Sequence, residues 1–173
     1  MFLFRSGSGE DLTRGLSPWT LPNMAEIAVA TLALKDAHEV APLLAASVQD
    51  RKRGAPRAPD QYYAELLLKD RTAEIIGARF EGRLVGYAVF FDLPDTMTGM
   101  RTGQLDDLFV IQDARGRKIG QALIEALAAE GERRGWRQIR WMVPEKPATA
   151  RRLAERLAKS GGWLTYSVPV PRP

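Results

Sequence analysis

The stretch LDDLFVIQDARGRKIGQALIEALAAEGERRGWRQIRWMV, residues 105–143, constrains the fold of this chain more than any other segment. It opens as an apolar strand and breaks at RGRKIG (115–120), a turn holding two glycines and three cations. Ile119, Leu123, Ala126 and Leu127 then recur at helical spacing, and Ile139, Trp141 and Val143 alternate as in a half-buried strand. A strand–helix–strand unit of this kind joins two parallel strands by a right-handed crossover. Any fold for the chain must therefore be built around a parallel pair with a helix on one face.

The remaining segments add antiparallel strands before that unit. AEIAVATLAL (25–34) reads as a strand, and Asp36 with Glu39 three residues on reads as a capping box opening a helix. DRKRGAPRAPD (50–60) is a basic Pro/Gly loop, and PDQYYAELLLKD (59–70) a second short helix. AEIIGARF and RLVGYAVFF form a hairpin about Glu81-Gly82-Arg83, and DLPDTMTGMRTG (92–103) reads as a loop. After residue 143, ATARRLAERLAKSGG reads as a helix ending in glycines and WLTYSVPV (163–170) as a last strand. The expected architecture is α/β (α+β): one domain over 25–173 with a mixed central sheet, in the order β-α-α-β-β-β-α-β-α-β. Residues 1–24, rich in Gly, Ser and Pro, are expected to be a flexible extension, with Met24 a candidate start of the native chain.

Composition removes several kinds of chemistry. With no cysteine there is no disulfide, no thiolate zinc site and no Cys nucleophile, and His38 is the only histidine. No metal is expected. No apolar run approaches the roughly 20 residues of a membrane span, and the N-terminus lacks a signal pattern, so a cytoplasmic protein without membrane partners is expected. Charge is divided: residues 60–114 hold ten acidic and five basic side chains, residues 115–160 five acidic and twelve basic. Such a division suits a cationic ligand on one side and an anionic one on the other, and also fits an ordinary surface balance.

The turn at 115–120 has the chemistry of an anion site. The first N–H groups of a helix lack intrahelical partners, and the helix dipole adds about half a positive charge there. Gly116 and Gly120 permit close approach of the backbone, and Arg115, Arg117 and Lys118 add full charges. The turn is neither a Walker A loop nor a G-x-G-x-x-G fingerprint. Arg117 and Lys118 also read as an ordinary solvated helix start.

The whole stretch resembles the GCN5-related N-acetyltransferases (GNAT). Their acetyl-CoA motif, Q/R-x-x-G-x-G/A, reads here Arg115-Gly116-Arg117-Lys118-Ile119-Gly120, with Lys118 in place of the central Gly. The upstream LDDLFV is similar to the L-E-D-[FL]-[FY]-V strand of the diamine and thialysine acetyltransferase branch. The resemblance implies acetyl-CoA as co-substrate and a small primary amine as acceptor. Backbone groups of Leu108, Phe109 and Val110 would pair with the pantetheine arm, and the amides of 115–120 would hold the pyrophosphate. Lys118, carrying a side chain, is expected at negative φ. Asp106 stands where the family has Glu, and Asp106 and Asp107 are the candidates for deprotonating an ammonium whose pKa is about 10.4. The N–H of Leu108 or Phe109 would meet the developing oxyanion. The family's N-x-x-A-x-x-[FL]-Y motif falls on 147–154, where Pro147 replaces the Asn and Ala154 the acidic Tyr. Tyr166 on the last strand is the candidate substitute, with Tyr62 and Tyr63 as alternatives; each also reads as a packing residue.

Two other functional classes compete with an acetyltransferase. The absent Tyr and Asn favour a GNAT-fold module that binds acyl-CoA and catalyses little. Arg interleaved with Trp136 and Trp141 would suit a nucleic-acid binder, but Trp141 lies on an apolar face and no recognised nucleic-acid motif is present, so no nucleic-acid partner is expected. A homodimer is a candidate assembly, because relatives often carry a second final strand that a partner chain would replace.

Overall fold

The computed structural model describes residues 27–51, 60–143, 148–162 and 165–170. Five strands form one sheet in the order β1-β2-β3-β4-β5: Ile27–Thr31, Ala73–Phe80, Arg83–Pro94, Arg101–Val110 and Trp136–Trp141. The first four are antiparallel neighbours, and β4 and β5 are parallel, as the crossover unit requires. The helices are α1 (Ala37–Asp50), α2 (Gln61–Lys69), α3 (Ile119–Arg134) and α4 (Ala148–Leu157).

Alternation along the strands sends side chains to two cores. On one face Val40, Leu43 and Leu44 of α1 and Ala64 of α2 pack on Ile75, Tyr87, Val89 and Phe109. On the other, Ile119, Leu123 and Leu127 of α3 pack on Ile76, Phe90 and Leu105. Those three α3 residues, four apart, are at most 1% exposed. Burying each contributes about 1.5–3 kcal/mol, so the periodicity read in the sequence is what fastens α3 to the sheet. Gly135, at φ 70°, ends the helix in a left-handed cap. The next residue, Trp136, enters a slot that glycines leave open. A Cβ on Gly103 would lie 2.3 Å from the Trp136 ring, and one on Gly131 2.7 Å. Trp136 Nε1 donates to Asp92 at 2.8 Å, which fixes the ring beside β4.

Three local expectations are revised. Helix α1 does open after Asp36, but not through a capping box. The Asp36 carboxylate accepts from Ala33 N–H at 2.8 Å, and Glu39 is drawn away by Arg79, whose guanidinium pairs with both acids. The β3–β4 loop is shorter than expected: residues 92–94 pair with 101–103, leaving 95–100 as the turn. The expected sixth strand is not formed: residues 165–170 lie in no strand, with Tyr166, Val168 and Val170 at least 84% exposed, and Trp163 and Leu164 lie outside the described residues. A run of alternating apolar residues has strand propensity, but a strand exists only when a neighbour receives its hydrogen bonds. The extension expected over 1–24, the 52–59 stretch of the basic loop and Pro147 also lie outside the described residues.

Candidate active site

The site forms where β4 and β5 part. Their pairing runs from Arg101 to Leu105 and stops, so the remainder of β4, 106–110, has an open edge toward β5. A bulge sits at the same place. Val89 pairs with Asp107 and Phe90 with Leu105, which leaves Asp106 without a partner. An extra residue reverses the facing of the residues after it. Leu105 packs in the α3-side core, whereas Asp107, two residues on, turns to the α1 side and meets Tyr87. The two neighbouring carboxylates are thereby given different surroundings.

Asp107 is fully engaged. It accepts from the Tyr87 hydroxyl at 2.8 Å and forms an ion pair with Arg51, the residue that closes α1. Burial, and then the Asp107 charge, push the Tyr87 phenol far above its ordinary pKa, so it stays a neutral donor. Asp106 is exposed on the bulge and has no hydrogen bond or ion pair among the described residues.

Backbone alternation decides which groups face the open edge. Ile111 N–H donates to Val85 O at 3.0 Å, toward β3. Leu108 and Val110 therefore point their N–H and C=O the other way. Their carbonyls are met from that side, Leu108 O by Arg51 Nη2 at 3.3 Å and Val110 O by Arg115 Nε at 2.9 Å. Phe109 turns its backbone to Tyr87 on β3, and its side chain is buried. Of the three residues expected to pair with an extended ligand, two offer edge groups and Phe109 does not. Leu108, rather than Phe109, carries the N–H available to an oxyanion. The edge opens onto a small apolar cavity lined by Leu105, Leu108, Ile124, Trp141, Leu153 and Ala154.

The 115–120 turn lies at the end of the same edge. Arg115, besides capping Val110, pairs with Asp50 at 2.9 Å and lies over the Phe109 ring. Gly116 takes φ 80°. Lys118 takes φ 62° and ψ 11° as the N-cap of α3, contrary to the negative φ expected of a residue with a side chain. The left-handed turn is imposed from both sides: Ile119 must reach the core, and Lys118 O accepts the first helical bond, from Ala122 at 2.9 Å. Gly120 needs no positive φ. Its role is close approach, since a Cβ there would lie 3.2 Å from Leu153 of α4. Arg117 stacks on Phe80, 4.9 Å from the ring centre. Arg115, Gly116, Arg117 and Lys118 are exposed, with the free N–H groups of α3 behind them.

Residues 40–158, well over half of the chain, match a known protein family, the acetyltransferase (GNAT) family. This chain belongs to the GNAT family. Its relatives include named acetyltransferases, and acetyl-CoA is the co-substrate of the family. A ribosomal-protein-alanine N-acetyltransferase from Brucella melitensis biovar Abortus 2308 is 44% identical, with a TM-score of 0.76 over 83% of this chain and 99% of that one. The mouse (Mus musculus) thialysine N-epsilon-acetyltransferase is 33% identical over 102 residues, 54% of this chain and 59% of that protein, so the match spans little more than half of the relative. An aminoglycoside acetyltransferase from an uncultured soil metagenomic sample shares the fold at 24% identity, with a TM-score of 0.70 over 84% of this chain and 99% of that one.

The GNAT motif for the general acid meets the open edge at Ala154. That residue, at the position where the resemblance implies a Tyr, lines the same cavity as Leu108. None of the expected substitutes is brought there. Tyr166 is 84% exposed outside any strand, and Tyr62 and Tyr63 lie on the exposed side of α2. Two residues that touch Asp107 were not legible in the sequence. Tyr87 looks like one more apolar residue of β3, and Arg51 lies 56 positions from the carboxylate it holds. His38 is exposed, its Nδ1 3.0 Å from Lys35 O.

Proposed function

We propose that this GNAT enzyme transfers an acetyl group from acetyl-CoA to a small primary amine by direct attack. Asp106 takes the amine proton, directly or through one water. The observation that carries this reading is the pairing of an unpartnered carboxylate at the β4 bulge with the open Leu108 N–H two residues on. The residues suit acetyl-CoA: the edge N–H groups of Leu108 and Val110 can donate to an extended amide chain, and the turn at 115–118 presents backbone N–H and cations to a pyrophosphate. When bound, acetyl-CoA supplies an acetyl thioester whose thiol has a pKa near 8.5, low enough for the sulfur to leave as a thiolate without a general acid and take its proton from solvent afterwards. Leu108 N–H stabilises charge on the carbonyl oxygen, and Asp106 restores neutrality at the amine. The relatives are consistent with an amine acceptor: by name, one acts at the ε-nitrogen of thialysine, another on ribosomal-protein alanine.

Thiol release from acetyl-CoA in the presence of an amine panel tests the proposal. Asp106→Asn is expected to lower kcat roughly a hundredfold or more while leaving acetyl-CoA affinity, read by calorimetry, within about twofold of wild type. Wild-type kcat in Asp106→Asn would remove Asp106 from the reaction. Ala154 at the acid position favours a second reading, an acyl-CoA-binding module. Tight acetyl-CoA binding without thiol release on any amine would select it.

A further inference from the structure

We propose that Arg51 is a specificity residue, which selects an acceptor amine bearing its own carboxylate and disfavours diamines and polyamines. This assignment rests on the acetyl-transfer reading above and names the acceptor class for the same site. As a sequence, LDDLFV in an acidic half of the chain invites a polycation. The fold cancels most of that charge. Of the three described carboxylates around the open edge of β4, Asp107 is held by Arg51 and Asp50 by Arg115. Asp106 alone stays unpaired among the described residues, enough to meet one amine. The second ammonium of a diamine would find no free carboxylate there among the described residues, and would lie near the Arg51 guanidinium.

Arg51 has the donors to do more than repel. Its contacts to Asp107 Oδ1 and Leu108 O both use Nη2. Nε and Nη1 make no hydrogen bond among the described residues, and the side chain is 29% exposed. A guanidinium with free donors on one edge is matched to a carboxylate. Its position is fixed from three sides: the C-terminal end of α1, which favours a cation, the Asp107 carboxylate and the Leu108 carbonyl. Leu108 is also the residue whose N–H faces the reacting carbonyl, so a carboxylate on Arg51 would place the rest of a short acceptor at the bulge.

Two pairs of amines that differ by one carboxylate supply the test: lysine against cadaverine, and ornithine against putrescine. Wild-type kcat/KM is expected to favour the amino acid of each pair by about tenfold or more, the scale of one charge-assisted hydrogen-bonded contact. Arg51→Gln, which also releases Asp107 to meet a second ammonium, should bring both ratios to one or below, through a higher KM for the amino acids and a lower one for the diamines. Arg51→Lys keeps the charge and the partner of Asp107, and should retain a reduced preference, which separates recognition from loss of folding. A wild-type preference for the diamines, or unchanged ratios in a folded Arg51→Gln, would overturn the assignment. The same amines titrated into the CoA-loaded protein separate this outcome from failure of acetyl transfer. An amino-acid preference in binding that Arg51→Gln abolishes, with no amine acetylated, upholds Arg51 and removes the reaction. Absence of the preference in both assays removes Arg51.

Discussion

Lys118→Gly offers a test of the active-site turn in which the sign alone is decisive. Lys118 lies at φ 62°, ψ 11° in the turn that starts α3. The left-handed conformation crowds a Cβ against the carbonyl oxygen and costs about 1–2 kcal/mol for a residue other than glycine. Replacement by glycine removes that strain, and glycine is tolerated at a helix N-cap. Against this stands the larger conformational freedom of glycine in the unfolded chain, about 0.4–1 kcal/mol. The balance is a net stabilisation of about 0.5–1 kcal/mol. For a domain of this size that raises Tm by roughly 1–4 °C. Lys118→Ala is the control: it removes the same charge but keeps the Cβ and its strain, so its stability should stay within about 0.5 kcal/mol of wild type. Equilibrium urea unfolding of the three proteins, with equal m-values, gives the comparison directly. At the negative φ expected from sequence, glycine would instead be the worse residue by about 0.5–1 kcal/mol. A Lys118→Gly protein less stable than Lys118→Ala would refute the left-handed turn.

Two further predictions concern the frame of the site. Gly103→Ala places a Cβ 2.3 Å from a Trp136 ring that Asp92 holds in place, and should lower stability by roughly 1–3 kcal/mol in thermal or urea unfolding; Trp136→Leu in the same background should recover part of the loss. Glu130 is held at a pKa of about 2, chiefly by its hydrogen bond to Arg133 and further by Arg134. A carboxylate whose pKa is depressed on folding stabilises above its unfolded value, here 4.5, and the contribution disappears as pH falls toward 2. The stability difference between wild type and Glu130→Gln should therefore be largest above pH 4.5 and close between there and pH 2; a difference independent of pH would contradict the ion pairing.

Much of this protein was legible from local pattern. The 3.6-residue spacing of Ile119, Leu123 and Leu127, the alternation around Ile139 and Trp141, and the Glu81-Gly82 turn each act within a few residues, and the structure contains the elements they specify. The open strand followed by a basic turn at a helix start was legible for the same reason, because unsatisfied N–H groups and nearby cations are properties of adjacent positions. What tertiary structure decided involves groups far apart in the chain. A bulge against β3 turned Asp106 and Asp107 to different fates, although they are neighbours of the same residue type. Arg51, from the end of α1, occupied Asp107 and left Asp106 free. The core position of Ile119 forced Lys118 into a conformation that its own propensity opposes. Residues 165–170 of the expected last strand had suitable side chains but pair with no strand among the described residues. Propensity and periodicity are local energies. Ion pairing, strand register and backbone strain are settled by whichever distant groups packing brings within hydrogen-bond reach.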